Sequence, residues 1–240
     1  MIITNIYFGI KITLKIFEKT ILYSDLIKIV AYNGFQGGQK PILFIEEKNH
    51  TILIDLKKDC ELLFKEFKTT TRNEINRAIK IGVRTEITDN KNEFILFYNK
   101  FAKQLGLSII NFKDINKYNN SLLLVKASLD NEVLVMHAYL TDKSTRMATL
   151  LYSASNIETN TIERKTIGYA NRLLHYKDLL LLRQLKFIKY NFGGISLDET
   201  NSKLKGIASF KKSFGGVIAP SINYYSPLYF LLLKLKKLMN

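Results

Sequence analysis

The sequence is poor in cysteine. Cys60 is the only one among 240 residues, so no disulfide bond can form within the chain. It lies in DLKKDCELLFKEF, whose apolar residues recur at helical spacing and which has no evident basic pocket to activate a thiol. A catalytic thiol is therefore not expected, and the composition fits a reducing cytoplasm.

The motifs of several enzyme classes are also missing. The sequence contains no GxxxxGK[ST] phosphate loop, no GxGxxG after a strand, no CxxC pair and no GxSxG elbow. The three histidines, His50, His137 and His175, are too scattered for a recognisable metal-site spacing. These absences argue against a kinase, a Rossmann dehydrogenase and a metalloenzyme, and no bound metal is expected.

Acidic residues are scarce relative to basic ones. The chain has 21 Asp and Glu against 36 Lys and Arg, which gives a formal net charge of +15. Such an excess favours anionic partners: nucleic acid, nucleotide phosphates or an anionic membrane face. A lysine-rich surface without a specific partner is the open alternative.

Long apolar runs are absent as well. The start, MIITNIYFGIKITLKIFEK, has no uninterrupted apolar block with a cleavage site, so no signal peptide is expected, and no segment is long and apolar enough to span a bilayer. The tail SPLYFLLLKLKKLMN mixes leucines with lysines. It predicts a helix that either lies on an anionic membrane or docks on the protein. The expected location is cytoplasmic, with a peripheral place at the inner face of the membrane.

The order of the predicted elements indicates the fold class. From about Thr69 onward we expect helix, strand, helix, three strands, helix, strand, helix, strand. The first helix should run from about Thr71 to Ile81, with Thr71 and Glu74 as a capping pair. This order predicts an α/β (α+β) fold with a mixed, mainly antiparallel sheet flanked by helices. The expected parts are a short N-terminal strand-helix portion (1–68), a main domain (69–225) and a basic amphipathic helix (226–240).

One motif carries a binding mechanism. KTIGYA, residues 165–170, follows the last of three consecutive strands and opens a long helix. Gly168 and Ala170 let a ligand approach the backbone, and the open N–H groups of a first helical turn suit a pyrophosphate. Lys165 and Arg172 would add charge to this cofactor-binding segment. An ordinary helix start with a glycine is the structural alternative.

Several segments together resemble a known family. KTIGYA is similar to the R/Q-x-x-G-x-G/A loop of the GNAT acyltransferases, with Lys165 at the first position. TTTRNEINRAIKIGV, STRMATLLYSAS, YNFGGI and GIASFKKSFGG follow the order seen in the FemAB-like branch of that superfamily. That branch includes the Fem-type aminoacyl-transferases of peptidoglycan bridge synthesis and acetyltransferase-like proteins of polysaccharide clusters. The resemblance covers roughly residues 50–220.

The resemblance implies a GNAT-type fold and acyl transfer. It suggests acyl-CoA as co-substrate, without a tightly bound cofactor, and an amine on a nucleotide- or lipid-linked sugar or peptidoglycan precursor as acceptor. An aminoacyl-tRNA donor and a non-catalytic module for anionic glycolipid remain open alternatives. The chain departs from the family in having one complete unit instead of two, and Asn191 where relatives usually have Asp.

The candidate catalytic residues come from three segments. His137 lies in a strand, on the face predicted to hold Val133, Val135 and Tyr139, and is a candidate general base or a buried core histidine. Asp198, just beyond the Gly193–Gly194 turn, is an alternative base. In the Fem-type pattern the lysine of FK lies at the active-site cleft, so the resemblance gives Lys211 the role of neutralising a substrate phosphate.

Further residues are candidates for holding substrate. Glu199 lies beside Asp198, and Arg72 and Arg77 share one helix and would contact acceptor phosphates. Ser153 and Ser155 could donate hydrogen bonds to an acyl oxygen. Capping, surface ion pairing and turn formation are the structural alternatives for these groups.

Overall fold

The computed structural model describes residues 1–7, 9–38, 40–157, 162–198 and 200–238. The chain divides into two units by the clustering of contacts. Unit 1 comprises residues 1–51, 194–197 and 218–240, and unit 2 comprises residues 52–193 and 198–217. The boundaries expected at residues 68 and 225 stay predictions about domain organisation.

Unit 1 is built on strands packed around a small aromatic core. β1 and β2 are antiparallel, β2 and β3 are parallel, and β3 and β10 are antiparallel. Its core contains Val30, Tyr32, Phe44 and Tyr224. The elements are β1 (Ile2–Tyr7), β2 (Ile10–Ile16), β3 (Ile29–Asn33), the first part of β4 (Ile45–Asp55), most of β10 (Val217–Tyr225) and α7 (Pro227–Leu238).

Unit 2 contains a sheet in the order β9-β8-β7-β6-β5. All neighbours are antiparallel except β8 and β9. The strands are β5 (Arg84–Thr88), β6 (Leu122–Leu129), β7 (Glu132–Asp142), β8 (Met147–Ser155) and β9 (Lys189–Ile195). The helices are α1 (Cys60–Lys65), α2 (Thr69–Lys80), α3 (Lys91–Gln104), α4 (Phe112–Asn116), α5 (Arg164–Gln184) and α6 (Ser202–Lys212). The predicted mixed, mainly antiparallel sheet flanked by helices is confirmed.

The two faces of the unit 2 sheet have different cores. Met136 and Ala138 of β7 face α3 and pack with its Phe94 and Tyr98, while His137 and Tyr139 face α5. Val133, predicted to lie on the His137 face, packs with Met136 instead. A β-bulge changes the β6–β7 register next to it, and one extra residue reverses the side on which the preceding residues lie.

Side chains cap the starts of several helices, whereas α2 and α5 start without such a cap. Asp59, Asn90 and Asn201 each accept a hydrogen bond from a backbone N–H of the helix that they precede, which starts α1, α3 and α6. The capping pair predicted at Thr71 and Glu74 is wrong. α2 begins at Thr69, earlier than expected, and Thr71 lies buried inside it.

None of the helices within the described ranges combines the length and apolarity that crossing a membrane would require.

Candidate functional site

The centre of unit 2 holds a buried polar group between β7 and α5. Asp178 Oδ2 accepts hydrogen bonds from Tyr139 Oη at 2.6 Å and His137 Nδ1 at 2.8 Å. The other ring nitrogen, His137 Nε2, lies 3.1 Å from Asn171 Oδ1, which is the only partly buried end of the group. Tyr139 and His137 point to the same side of β7 because they are two residues apart on a strand.

The hydrogen-bonded chain continues to a second histidine. Tyr139 Oη lies 3.1 Å from Tyr190 Oη, which lies 3.0 Å from His175 Nδ1. If Tyr139 donates to Asp178, then Tyr190 donates to Tyr139 and His175 Nδ1 donates to Tyr190, so every contact receives one proton. With its proton on Nδ1, a neutral His175 has its lone pair on Nε2.

Burial sets the protonation of this chain. The pKa of His175 is lowered well below its ordinary value, first by burial and then by the positive electrostatic influence of His137, Lys211 and Arg172. Burial raises the pKa of Asp178 although its hydrogen bonds to His137 and Tyr139 oppose the rise. Burial also raises the pKa of the Tyr139 and Tyr190 hydroxyls well above the usual value.

His137, His175 and Asp178 have the side chains of a metal site, with ligand atoms within 4.8 Å of one another. Their present bonding is that of a hydrogen-bond network. Asp178 Oδ2 already accepts two short hydrogen bonds, and both nitrogens of His137 are engaged. A metal would have to replace these bonds, so this donor set fits proton sharing better than coordination.

A second feature lies where β8 and β9 run side by side. These parallel strands pair from Met147 with Lys189 to Thr149 with Asn191, whereas β8 continues to Ser155. Just beyond the paired region Gly193 adopts φ +73°, and a Cβ there would lie 3.1 Å from Leu150 O. The end of the paired region therefore brings the two backbones close at a position that only glycine occupies without strain.

The ammonium of Lys211 lies at this point. A Cβ on Gly193 would be 3.9 Å from Lys211 Nζ. The side chain is partly buried, and burial lowers the pKa of Lys211 from 10.5 to about 8. Because α6 ends at Lys212 and Gly215 and Gly216 follow with positive φ, the chain turns immediately after the lysine.

Asn191 positions this turn. Its Oδ1 accepts a hydrogen bond from Gly193 N–H at 2.8 Å. A carboxylate at this position could accept the same bond, so the Asn191 departure from the family pattern preserves the local backbone contact.

Arg172 joins the start of α5 to the lysine segment. Its Nη1 donates to Gly168 O at 3.3 Å, its guanidinium lies 5.0 Å from the Phe210 ring centroid, and its Nε lies 2.5 Å from Glu74 Oε2. Arg172 therefore links Gly168 to Phe210, the residue that precedes Lys211. The Gly168–Ala170 segment itself lies inside α5, which begins at Arg164, so the first open N–H groups are a turn earlier than expected.

The remaining basic candidates, Arg72, Lys165 and Arg77, have other surroundings. Arg72 donates to Lys65 O at 2.8 Å and to Phe67 O at 2.5 Å, and so joins α1 to α2. Lys165 pairs with Glu163 at 2.7 Å, and Arg77 is exposed on α2. These contacts fit structural roles, and their substrate-binding roles remain predictions.

Asp198 is exposed and accepts hydrogen bonds from Thr200 N at 2.9 Å and Thr200 Oγ1 at 2.6 Å. These bonds lower the pKa of Asp198, which makes it a weaker base. Glu199 lies outside the described residues. Ser153 and Ser155 lie on β8 opposite His137 and Val135, and both are partly buried.

The sequence did not predict most of this buried hydrogen-bond network. Asp178, Tyr139, Tyr190 and His175 were not predicted to act together. A signal existed on α5, because Asn171, His175 and Asp178 are spaced by four and then three residues, which places polar side chains on one helical face. Their partners on β7 and β9 could not be read from sequence.

Comparisons with known proteins identify the fold. No protein-family model matches the sequence, and no curated protein matches it. Among solved structures the chain is similar to FemX, with a TM-score of 0.69 and 13% identity over 98% of this chain and 85% of that one.

Two further structures are similar, each with a TM-score of 0.60. One is L-PGS from Bacillus licheniformis, with 10% identity over 97% of this chain and 84% of that one. The other is the C-terminal domain of an Agrobacterium fabrum protein assigned as a lysylphosphatidylglycerol synthetase, with 14% identity over 96% of this chain and 83% of that one. Such likeness shows the fold, and the chain therefore has the fold that these three structures share.

Proposed function

We propose that this protein is an acyltransferase that moves an acyl or aminoacyl group onto an amine, with Lys211 at the reaction site. The observation that carries the proposal is the position of the Lys211 ammonium against Gly193, where the pairing of the parallel strands β8 and β9 has ended. The FemAB-like fold supports acyl transfer as the reaction class.

The chemistry requires a cation or dipoles where negative charge develops. Attack of an amine on an acyl carbonyl produces an oxyanion, and a held ammonium stabilises it most strongly where water is partly excluded. Lys211 is partly buried and has a pKa of about 8, so it is mainly protonated at neutral pH. It would hold the oxyanion or a donor phosphate.

His137 would act indirectly. It is fully buried, and both of its nitrogens bond to neighbouring side chains. We assign it as a positioning residue that acts through Asn171 and leave proton removal from the amine to a group that contacts substrate. Asp198, with its lowered pKa, would be a weak base for that step.

The proposed donor is acyl-CoA, with aminoacyl-tRNA as the second candidate. Exposed Arg164 and Lys165 at the start of α5 suit the pyrophosphate of CoA. The net charge of +15 and the Fem-type resemblance favour aminoacyl-tRNA. The proposed acceptor, from the resemblance, is an amine on a nucleotide- or lipid-linked sugar or peptidoglycan precursor.

A donor screen with the purified chain tests the reaction. Radiolabelled acetyl-CoA and mixed aminoacyl-tRNAs are supplied separately with an amino-sugar nucleotide or a peptidoglycan precursor, and label on the acceptor is counted. We expect transfer from one donor class and a loss of about a hundredfold or more in Lys211→Met, because an oxyanion contact is removed.

Lys212→Met is the matched control, since Lys212 is the exposed neighbour at the end of α6. It should retain transfer. Wild-type turnover in Lys211→Met would remove Lys211 from the mechanism, and no transfer from either donor class to any acceptor would favour the binding-module alternative.

A further inference from the structure

One face of the unit 1 sheet carries isoleucine, threonine and lysine at its β1–β2 end, while the β3 residues of that face, Val30 and Tyr32, are buried in the core. In the β1–β2 register Ile2 pairs with Lys15, Thr4 with Thr13, and Ile6 with Lys11. Residues directly opposite one another project from the same face of a sheet. Ile2 and Ile6 are 61% and 71% exposed, and Lys11 opposite Ile6 is exposed as well, whereas Lys15 opposite Ile2 is buried.

A groove of about 560 Å³ lies on this face. Ile27, which is 82% exposed, stands at its rim, and Lys11 and Lys28 also line it. Asp25 is the acidic residue among those described as lining it. Its carboxylate is buried and pairs with Lys15 at 2.6 Å and Lys28 at 2.9 Å. The groove is therefore apolar and basic at its surface.

Helix α7 carries a stripe of exposed leucines whose first member reaches the same groove. Leu228, Leu231, Leu235 and Leu238 are spaced by three, four and three residues, which places them on one helical face. All four are exposed, and Leu228 lines the groove. The sequence left open whether this helix docks on the protein or meets a membrane, and in unit 1 it does pack on the protein while its leucine face stays uncovered.

The packed side of α7 is aromatic. Tyr229 stacks on Tyr225 with ring centroids 5.4 Å apart. The helix also contacts β3. These contacts hold the helix on unit 1 through its aromatic side, and the four leucines of the stripe stay exposed.

We propose that this leucine stripe and the isoleucine-lysine sheet face form one docking surface for an anionic lipid bilayer. Leucine and isoleucine side chains would enter the boundary between headgroups and acyl chains, and Lys11, Lys28 and Lys234 would meet lipid phosphates. Charge complementarity favours lipid as the occupant, because the surface is basic and the whole chain carries +15. This surface is independent of acyl transfer.

Vesicle sedimentation tests the surface. The full chain is mixed with vesicles of phosphatidylcholine alone or with one part phosphatidylglycerol to two parts phosphatidylcholine. We expect pelleting with the anionic vesicles only, weakened by added salt. Leu231→Gln with Leu235→Gln should lower the partition coefficient by about tenfold or more, since two exposed leucines that would enter the bilayer are lost. Ile2→Thr with Ile6→Thr, which keeps strand-forming residues, should also lower it.

The control is Ile79→Gln with Leu96→Gln, which removes exposed apolar residues from helices of unit 2. It should pellet like wild type. The proposal is overturned if wild type stays in the supernatant with anionic vesicles, or if the leucine variant binds as wild type does. It is also overturned if sedimentation velocity shows a dimer that needs Leu231 and Leu235 while vesicles bind nothing, because a second copy would then be the occupant.

Discussion

The imidazole rings of His137 and His175 stack inside unit 2, with centroids 4.1 Å apart and planes inclined by 28°. Both rings are buried. The hydrogen bonds that link His175 through Tyr190 and Tyr139 to Asp178, and His137 directly to Asp178, give the two rings one carboxylate between them. Two charged imidazoles in contact would repel in a region of low dielectric. The fold therefore favours one neutral ring, and the lowered pKa identifies it as His175.

Acid should destabilise the protein through His175. A histidine whose pKa is lowered in the folded state binds a proton more readily in the unfolded state. The contribution of His175 to the free energy of unfolding is therefore complete above the unfolded pKa of 6.5 and is lost as the pH falls below that value. The slope should not exceed about 1.4 kcal/mol per pH unit. Urea unfolding between about pH 5 and pH 7.5 measures it.

His175→Asn isolates this effect, because Asn can still bond to Tyr190 and does not titrate. We expect the variant to be less stable at neutral pH and to lose less stability on acidification. Asp178, whose pKa is raised, acts in the opposite direction, but it is present in both proteins. Identical pH slopes in the two proteins would contradict the assignment.

Tyr139 and Asp178 should be energetically coupled. Tyr139→Phe removes the 2.6 Å hydrogen bond to Asp178 and is expected to cost about 1–2 kcal/mol. Asp178→Asn replaces the carboxylate by a neutral acceptor and is expected to cost about 2–3 kcal/mol, because the bonds from Tyr139 and His137 both weaken. The double variant should cost less than the sum by about 1 kcal/mol or more. Chemical denaturation of the four proteins measures the cycle. Tyr98→Phe, on the opposite face of the sheet, should combine additively with Asp178→Asn.

Lys211→Met should stabilise the protein at neutral pH. The pKa of Lys211 is lowered from 10.5 to about 8, so burial penalises its charged form. That cost is complete below about pH 8 and disappears as pH rises to 10.5. We expect Met to add about 1–3 kcal/mol to the free energy of unfolding at pH 7, a gain typical of removing a functional charge. Lys212→Met, at an exposed position, should change the free energy of unfolding little. Equal stability of wild type and Lys211→Met would argue against a cost of burying the Lys211 charge.

Gly216 fixes the turn after the lysine segment. A Cβ there would lie 2.6 Å from Leu53 O and 2.9 Å from Ile54 Cγ1, and φ is +81°. Gly216→Ala should therefore destabilise by about 2–4 kcal/mol in urea unfolding. Gly206→Ala is the matched control, since Gly206 lies in α6 with open space around it. It should stabilise by about 0.5–1 kcal/mol, and equal effects of the two changes would contradict the predicted strain.

Much of the fold was predictable because its signals are local. The three consecutive strands, the long helix α5 and the helix that ends beside Lys211 all follow from apolar periodicity and turn residues. β1 and β3 were missed. Ile2–Tyr7 and Ile29–Asn33 are short strands whose pairing partners lie elsewhere in the chain or follow a tight turn.

The candidate site was predictable only in part. Lys211 and the Gly168 segment were identified by their resemblance to known motifs, and Arg172 does connect them. The chain from His175 through Tyr190 and Tyr139 to Asp178 was not, because its members come from β7, α5 and β9. Hydrogen bonds between residues this far apart in sequence leave no periodic pattern.

The sequence by itself determined the kinds of element, their order, the positive charge and the position of the lysine segment, because each depends on side chains close together along the chain. Only the tertiary structure decided that the pKa of His175 is lowered, where Lys211 lies relative to Gly193 and which face of α7 stays open. Burial and proximity fix pKa values and exposure, and both arise only when distant segments pack against one another.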